Sequence, residues 1–187
     1  MRPERDAPET SILETDVRGA AARLKAKIAS LPVAMVTTTG SLGMPTSRPL
    51  TTRQFDDDGV LWFFVSSEGT LARDVEQNPR VNVNYSDPAR GIYVAISGYA
   101  RLVYDPERIF ALWDDRLETW FGQGPLDPSL ALLRIDVDRA EYWDEHSRGV
   151  IRMLALASAA LGREPRSWQA EHRRLALRTN GESAAAA

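Results

Sequence analysis

Hydrophobic positions recur at helical spacing through the first patterned stretch of the chain. Val17, Ala20, Ala21, Leu24 and Ile28 lie among Arg and Lys residues, and Leu31-Pro32 ends the run. Apolar residues three and four apart put one stripe on a helix, which predicts an amphipathic helix over about 14–30. The period then changes. Val33 to Thr39 is rich in β-branched residues and enters the turn Gly40-Ser41-Leu42-Gly43 as a strand would. Met44 to Thr52 can return as the second arm of a hairpin, although Pro45 and Pro49 require an edge, a bulge or an irregular stretch. After Asp56-Asp57-Asp58-Gly59, Val60 to Ser66 is continuously apolar and aromatic, as in a strand covered on both faces.

A short helix is predicted over Glu68 to Gln77, stopped before Asn78-Pro79. Val81, Val83 and Tyr85 alternate with Arg80, Asn82 and Asn84, the pattern of a half-buried strand. Ile92 to Tyr104 reads as a long strand with a bulge or bend at Gly98. Asp105-Pro106-Glu107 opens a helix by a polar cap followed by proline, and Ile109, Leu112, Trp113, Leu117, Trp120 and Phe121 lie on or near one stripe of it. Leu130 to Val137 is the last strong strand, followed by Glu141-Tyr142-Trp143-Asp144; a helical region is predicted from Gly149 to Leu161 with a weaker continuation to Leu177. Six strands in meander-like succession, with helices inserted and not alternating, predict a mainly β protein with flanking helices, a six-stranded antiparallel barrel. The expected organisation is a flexible arm over 1–12, the barrel domain over 13–145, a helical C-terminal extension over 146–180 and a disordered tail over 181–187.

Composition narrows the chemistry. Over 187 residues the chain is 43% apolar and 26% charged, ordinary for one globular domain. It has no cysteine and two histidines, His146 and His172, which removes thiolate chemistry and makes zinc catalysis improbable. No Ser stands in a GxSxG elbow. The net charge is -3 and the basic residues are scattered, so nucleic acid is not an expected partner. No run reaches membrane-spanning length and no secretory leader is visible, so a cytoplasmic location is expected. Asp56-Asp57-Asp58 before Gly59 reads as a solvated turn, and no metal site is expected. The only lysines are Lys25 and Lys27, so an anion held further along must be met by arginine, hydroxyls or backbone N–H groups.

Six segments in order resemble one family. They are Ser47-Arg48-Pro49-Leu50, Leu61-Trp62-Phe63-Phe64-Val65-Ser66, Asn78-Pro79-Arg80-Val81-Asn82-Val83-Asn84-Tyr85, Ser97-Gly98-Tyr99-Ala100, Trp120-Phe121-Gly122-Gln123-Gly124-Pro125 and Glu141-Tyr142-Trp143-Asp144. Together they resemble the FMN-binding split-barrel proteins of the pyridoxamine 5'-phosphate oxidase-like type, in the general stress protein branch. The resemblance implies a split barrel, FMN as cofactor and a homodimer with two interfacial flavin sites. It also implies that Arg48, with Pro49 and Leu50, lines the flavin site; by itself Arg48 reads as a surface arginine on an edge strand.

Val65, Ser66 and Ser67 lie where a strand opens into a helix, whose free N–H groups favour an anion. Family members carry Thr-Ser there, then a Ser and a Lys that hold the FMN phosphate. In this chain Val65 stands for the threonine, Gly69 for the serine and Leu71 for the lysine. Thr70 and Arg73 are the candidate replacements; the alternative is a decayed anion site, in which case lysine restored at position 71 is expected to tighten FMN. Trp120 and Trp143 are the aromatic candidates for the isoalloxazine ring, reaching it across the dimer interface.

The leading expectation is a flavoprotein of the general stress type that passes electrons to a small acceptor. No general acid or base stands out, and the extra basic residues with which true pyridoxamine 5'-phosphate oxidases hold their substrate's phosphate are missing, so vitamin oxidation is not expected. Two alternatives stand beside it. One is a split-barrel reductase using F420 or another flavin, with Arg48, Arg53, Arg73 and Arg90 as a basic groove. The other is a cofactor-free dimeric stress or interaction protein.

Overall fold

The computed structural model describes residues 17–144 and 171–176. Seven strands alternate with three helices in the order α1 (Val17–Ile28), β1 (Val33–Thr39), β2 (Pro45–Phe55), β3 (Val60–Ser66), α2 (Thr70–Gln77), β4 (Arg80–Asp87), β5 (Ile92–Val103), α3 (Pro106–Leu112), β6 (Leu130–Asp144) and β7 (Glu171–Ala176). All pairings are antiparallel and run β3-β2-β1-β4-β5-β6-β7, while β3 also pairs with β6. That extra pairing closes the six predicted strands into a barrel, with β7 attached outside the ring.

The barrel is split at β2. Its pairing to β3 covers only Thr52 to Phe55, with a bulge between Thr52 and Gln54, whereas its pairing to β1 runs from Pro45 to Thr51. The stretch carrying Pro45 and Pro49 therefore has a neighbour on one side only, as the missing proline donors require. β3 pairs with β6 along its whole length, from Val60↔Asp136 to Ser66↔Leu130, but beyond Phe63 it has no β2 partner. A seam opens between Pro45–Thr51 and the end of β3.

Two cores hold these elements. The larger fills the barrel with Val36, Leu61, Phe63, Val83, Ile96, Leu133 and Ile135, and α1 seals it with Ala21, Leu24 and Ile28. β3 alternates between cores, since Val60, Trp62 and Phe64 face outward under Ile109, Phe121 and the half-buried Trp113. A strand covered on both faces has no polar side, which accounts for its unbroken apolar sequence.

Three elements differ from expectation. The helix predicted from Asp105 through Phe121 stops at Leu112, because Trp113 is extended (φ -61°, ψ 148°) and Asp114 caps a separate 3-10 turn over Asp115–Thr119. The last barrel strand reaches Asp144 instead of Val137, pairing with β5 along both halves around a bulge at Ser97/Gly98. Residues 171–176, read as part of a helical extension, form β7 on β6 from Asp144↔Glu171 to Arg139↔Ala176. The far edge of β6 loses its β3 partner beyond Asp136, and β7 takes its unpaired N–H and C=O groups. The predicted arm, the tail, the helix over 149–161 and His146 lie outside the described residues.

Candidate functional site

Alternation along β2 decides which predicted residues face where. Arg48 and Leu50 point inward and are half-buried, while Ser47, Pro49 and Thr51 are exposed on the outer face. Arg48 pairs in register with Val36, and its guanidinium reaches two residues along β1 to the hydroxyl of Thr38, with Nη1 to Oγ1 2.9 Å. Its Nη2 donates to Oδ2 of Asp74 on α2 at 3.3 Å, and the Thr38 hydroxyl donates to the same oxygen at 2.7 Å. Thr38 and Asp74 are the only buried polar side chains among the described residues. The cluster ties β1, β2 and α2 together where the seam opens. The family motif singles out Arg48 as a flavin-site residue, not for these contacts; Thr38 and Asp74 are not singled out from sequence, since one is an ordinary strand threonine and the other sits in a polar run.

The strand-to-helix junction lies at the same end. The Ser66 hydroxyl accepts from the Glu68 N–H at 3.3 Å, and the Ser67 N–H and hydroxyl both donate to the Ser129 carbonyl at 2.7 and 3.1 Å. Gly69 caps α2 without a side-chain hydrogen bond, so no cap side chain occupies the first-turn N–H groups. Thr70 and Arg73 are exposed beside them. Val65 belongs to the barrel core at 6% exposure, paired with Ala131, and offers the site no side chain. Leu71 is equally a core residue.

The two tryptophans separate. Trp120 ends the 3-10 turn over Asp115–Thr119, in the layer outside β3 and β6, and is 74% exposed. Trp143 is half-buried on β6, opposite Tyr93 and His172. The registers Met35↔Pro49, Met35↔Asn84, Asn84↔Ala95 and Ala95↔Glu141 put Trp143, two residues from Glu141, on the same outer face as Pro49. Val33, Met35, Tyr93 and Tyr99 are exposed on that face as well.

An open cleft of about 530 Å3 is lined by Gly40, Ser41, Gln77, Asn78, Pro79, Arg80 and Tyr99. Asn78, Pro79, Arg80 and Tyr99 belong to segments that carry the family resemblance, but none of the flavin-site candidates drawn from sequence lines the cleft. Its Gly40 wall backs onto the polar cluster, since a β-carbon on Gly40 would stand 2.9 Å from Oδ1 of Asp74.

Of the four arginines postulated for a basic groove, three are engaged by carboxylates. Arg48 pairs with Asp74, Arg53 with Asp114 at 3.4 Å, and Arg90 with Asp87, leaving Arg73 without an ion pair among the described residues. Asp114 is held well below the usual carboxylate range, first by its hydrogen bonds from Arg116. In the Asp56-Asp57-Asp58 turn, Asp56 accepts from Trp62 Nε1 and from Arg108, each at 2.8 Å, and Asp57 pairs with Lys25. No cluster of metal-ligating side chains occurs among the described residues.

Residues 19–166 match the family described as pyridoxamine 5'-phosphate oxidase like. The chain belongs to this family. Among solved structures, a general stress family protein of Xanthomonas campestris pv. campestris is 30% identical, covers 70% of this chain and 90% of its own, and superposes with a TM-score of 0.58. The general stress FMN/FAD binding protein of Xanthomonas citri is 29% identical, over 68% of this chain and 89% of that one, with a TM-score of 0.58. General Stress Protein 26 of Bacillus anthracis is 25% identical, over 64% and 93%, with a TM-score of 0.56. No curated protein sequence matches significantly. This member of the oxidase-like family thus has the split barrel of its general stress relatives, and no helix among its described residues is long and apolar enough to cross a membrane.

Proposed function

We propose that this protein binds a flavin, FMN before other flavins, as a homodimer, and passes electrons to a small acceptor without acting as a true pyridoxamine 5'-phosphate oxidase. The observation that carries the reading is the Arg48–Thr38–Asp74 cluster at the open seam, beside an α2 start with no side-chain cap. The donors fit an acceptor-rich ligand. Arg48 keeps three N–H groups beyond the two already engaged, and the first turn of α2 adds backbone N–H groups for a phosphate. When bound, FMN supplies the electron chemistry, and the chain binds, orients and shields it. The general stress relative from Xanthomonas citri, described as FMN/FAD binding, supports the same reading.

Dimer formation is supported by the outer face, where Val33, Met35, Tyr93 and Tyr99 are between 38% and 52% exposed. Such a patch on a sheet suits a second copy of the chain. Trp143 shares this face, so a partner seated there would meet it.

The freshly purified protein is expected to show flavin absorbance bands that persist through gel filtration. Arg48→Ala should weaken FMN more than Arg90→Ala does, because Arg90 is engaged by Asp87 and Ser30. No flavin bands, together with no fluorescence quenching on FMN titration, would overturn the reading. One observation favours a second reading, a cofactor-free dimer: position 71, a phosphate lysine in the family pattern, is a core leucine.

A further inference from the structure

Among the described residues, a buried carboxylate occurs only at Asp74, 8% exposed on the inner face of α2. Ion pairs withdrawn from water contribute little net stability, because desolvation offsets their attraction. The Asp74 pair nevertheless has a consistent set of supports. Thr38, fully buried, donates to Oδ2 and so aims the carboxylate; Arg48 then meets both of them through different η nitrogens. Gly40 leaves the space that Oδ1 occupies. Fixing two nitrogens of one guanidinium sets its plane. An arginine side chain otherwise loses rotamer freedom when it grips a ligand, and a pre-set one loses less.

We propose that Asp74 is a positioning residue for Arg48, holding the guanidinium at the seam so that its free N–H groups meet the flavin. The proposal rests on the flavin reading above. Thr38 and Gly40 serve the same end, one by orienting the carboxylate and the other by giving it room.

Two measurements test it. The first needs no ligand: 15N spectra of the Arg48 guanidinium should show resolved, slowly rotating η N–H groups in the wild type, averaged in Asp74→Asn and Gly40→Ala. The second is a double-mutant cycle with FMN as the probe, read by fluorescence quenching, with thermal melting to confirm that each variant folds. Asp74→Asn keeps the volume of the side chain and should weaken FMN by about tenfold when Arg48 is present. In the Arg48→Ala background the same change should alter affinity by no more than about twofold. Equal losses in both backgrounds, or no loss in either, would overturn the proposal and leave Asp74 as a packing residue of α2. If the wild type binds no flavin, the flavin reading fails by itself, and guanidinium signals unchanged by Asp74→Asn would show that Asp74 does not position Arg48.

Discussion

A lysine at position 71 would enter the barrel core. Leu71 is 5% exposed and packs in the larger cluster, so Leu71→Lys is expected to lower stability by about 2–4 kcal/mol, read by denaturant titration. It should fail to tighten FMN, contrary to the expectation drawn from the family pattern. Arg73, exposed and without an ion pair among the described residues, is the better placed cation. Arg73→Ala should weaken FMN by about threefold to tenfold and leave riboflavin, which lacks the phosphate, within about twofold. Paired dissociation constants at matched ionic strength check this.

At the same scale, Tyr85 is buried in the core with its hydroxyl 2.7 Å from that of Thr52, and burial pushes its ionisation up to about 12. Below about pH 10 the phenol is protonated in both folded and unfolded chains, and its contribution is intact. Between about pH 10 and 12 the unfolded chain gives up the proton while the folded chain keeps it, so stability falls by roughly 2–3 kcal/mol. Tyr85→Phe should remove this share of the alkaline loss and cost about 1 kcal/mol at neutral pH, where the Thr52 hydroxyl is left unpaired. Urea unfolding across a pH series separates the two effects.

Among the elements, the most constrained contact is between β5 and β6. A β-carbon on Gly98 would lie 2.5 Å from the Asp136 carbonyl oxygen, at the point where the register shifts. Gly98→Ala must therefore push two backbones apart, and a loss of about 1–3 kcal/mol is expected by thermal melting. Gly122→Ala is the control, because nothing lies within 4 Å of its added carbon. The Gly98 bulge and the one-sided pairing of Pro45 and Pro49 were legible in the chain, since both follow from local backbone chemistry. The break after Leu112 was not. The stripe through Trp120 suits one long helix, but Arg53 donates to the Leu112 carbonyl at 3.1 Å and pairs with Asp114, contacts from β2 that a local pattern cannot register.

For the molecule as a whole, the outer face of β1, β4 and β5 carries the assembly prediction. Met35→Glu places a charge in the middle of that face while leaving the inward residues of β1 untouched. Light scattering at micromolar concentration is expected to show a dimer for the wild type and a monomer for this variant, which should also lose FMN. A wild-type monomer, or a monomeric variant with full FMN affinity, would separate the flavin site from the second subunit.

The sequence by itself determined the six barrel strands, the helix before them, the one between β3 and β4 and the start of the one after β5, while Arg48 stood out through the family motif around it. Each rests on local signals: alternation, proline placement, a helix cap or a motif of a few adjacent residues. Only the tertiary structure decided that Arg48 meets Asp74 and Thr38, that Val65 and Leu71 are core, and that 171–176 is a strand on β6. Arg48 is 26 residues from Asp74 along the chain, and the two meet because α2 packs across the barrel. Which distant residues meet, and which segment an open sheet edge recruits, depend on neighbours that no local pattern contains.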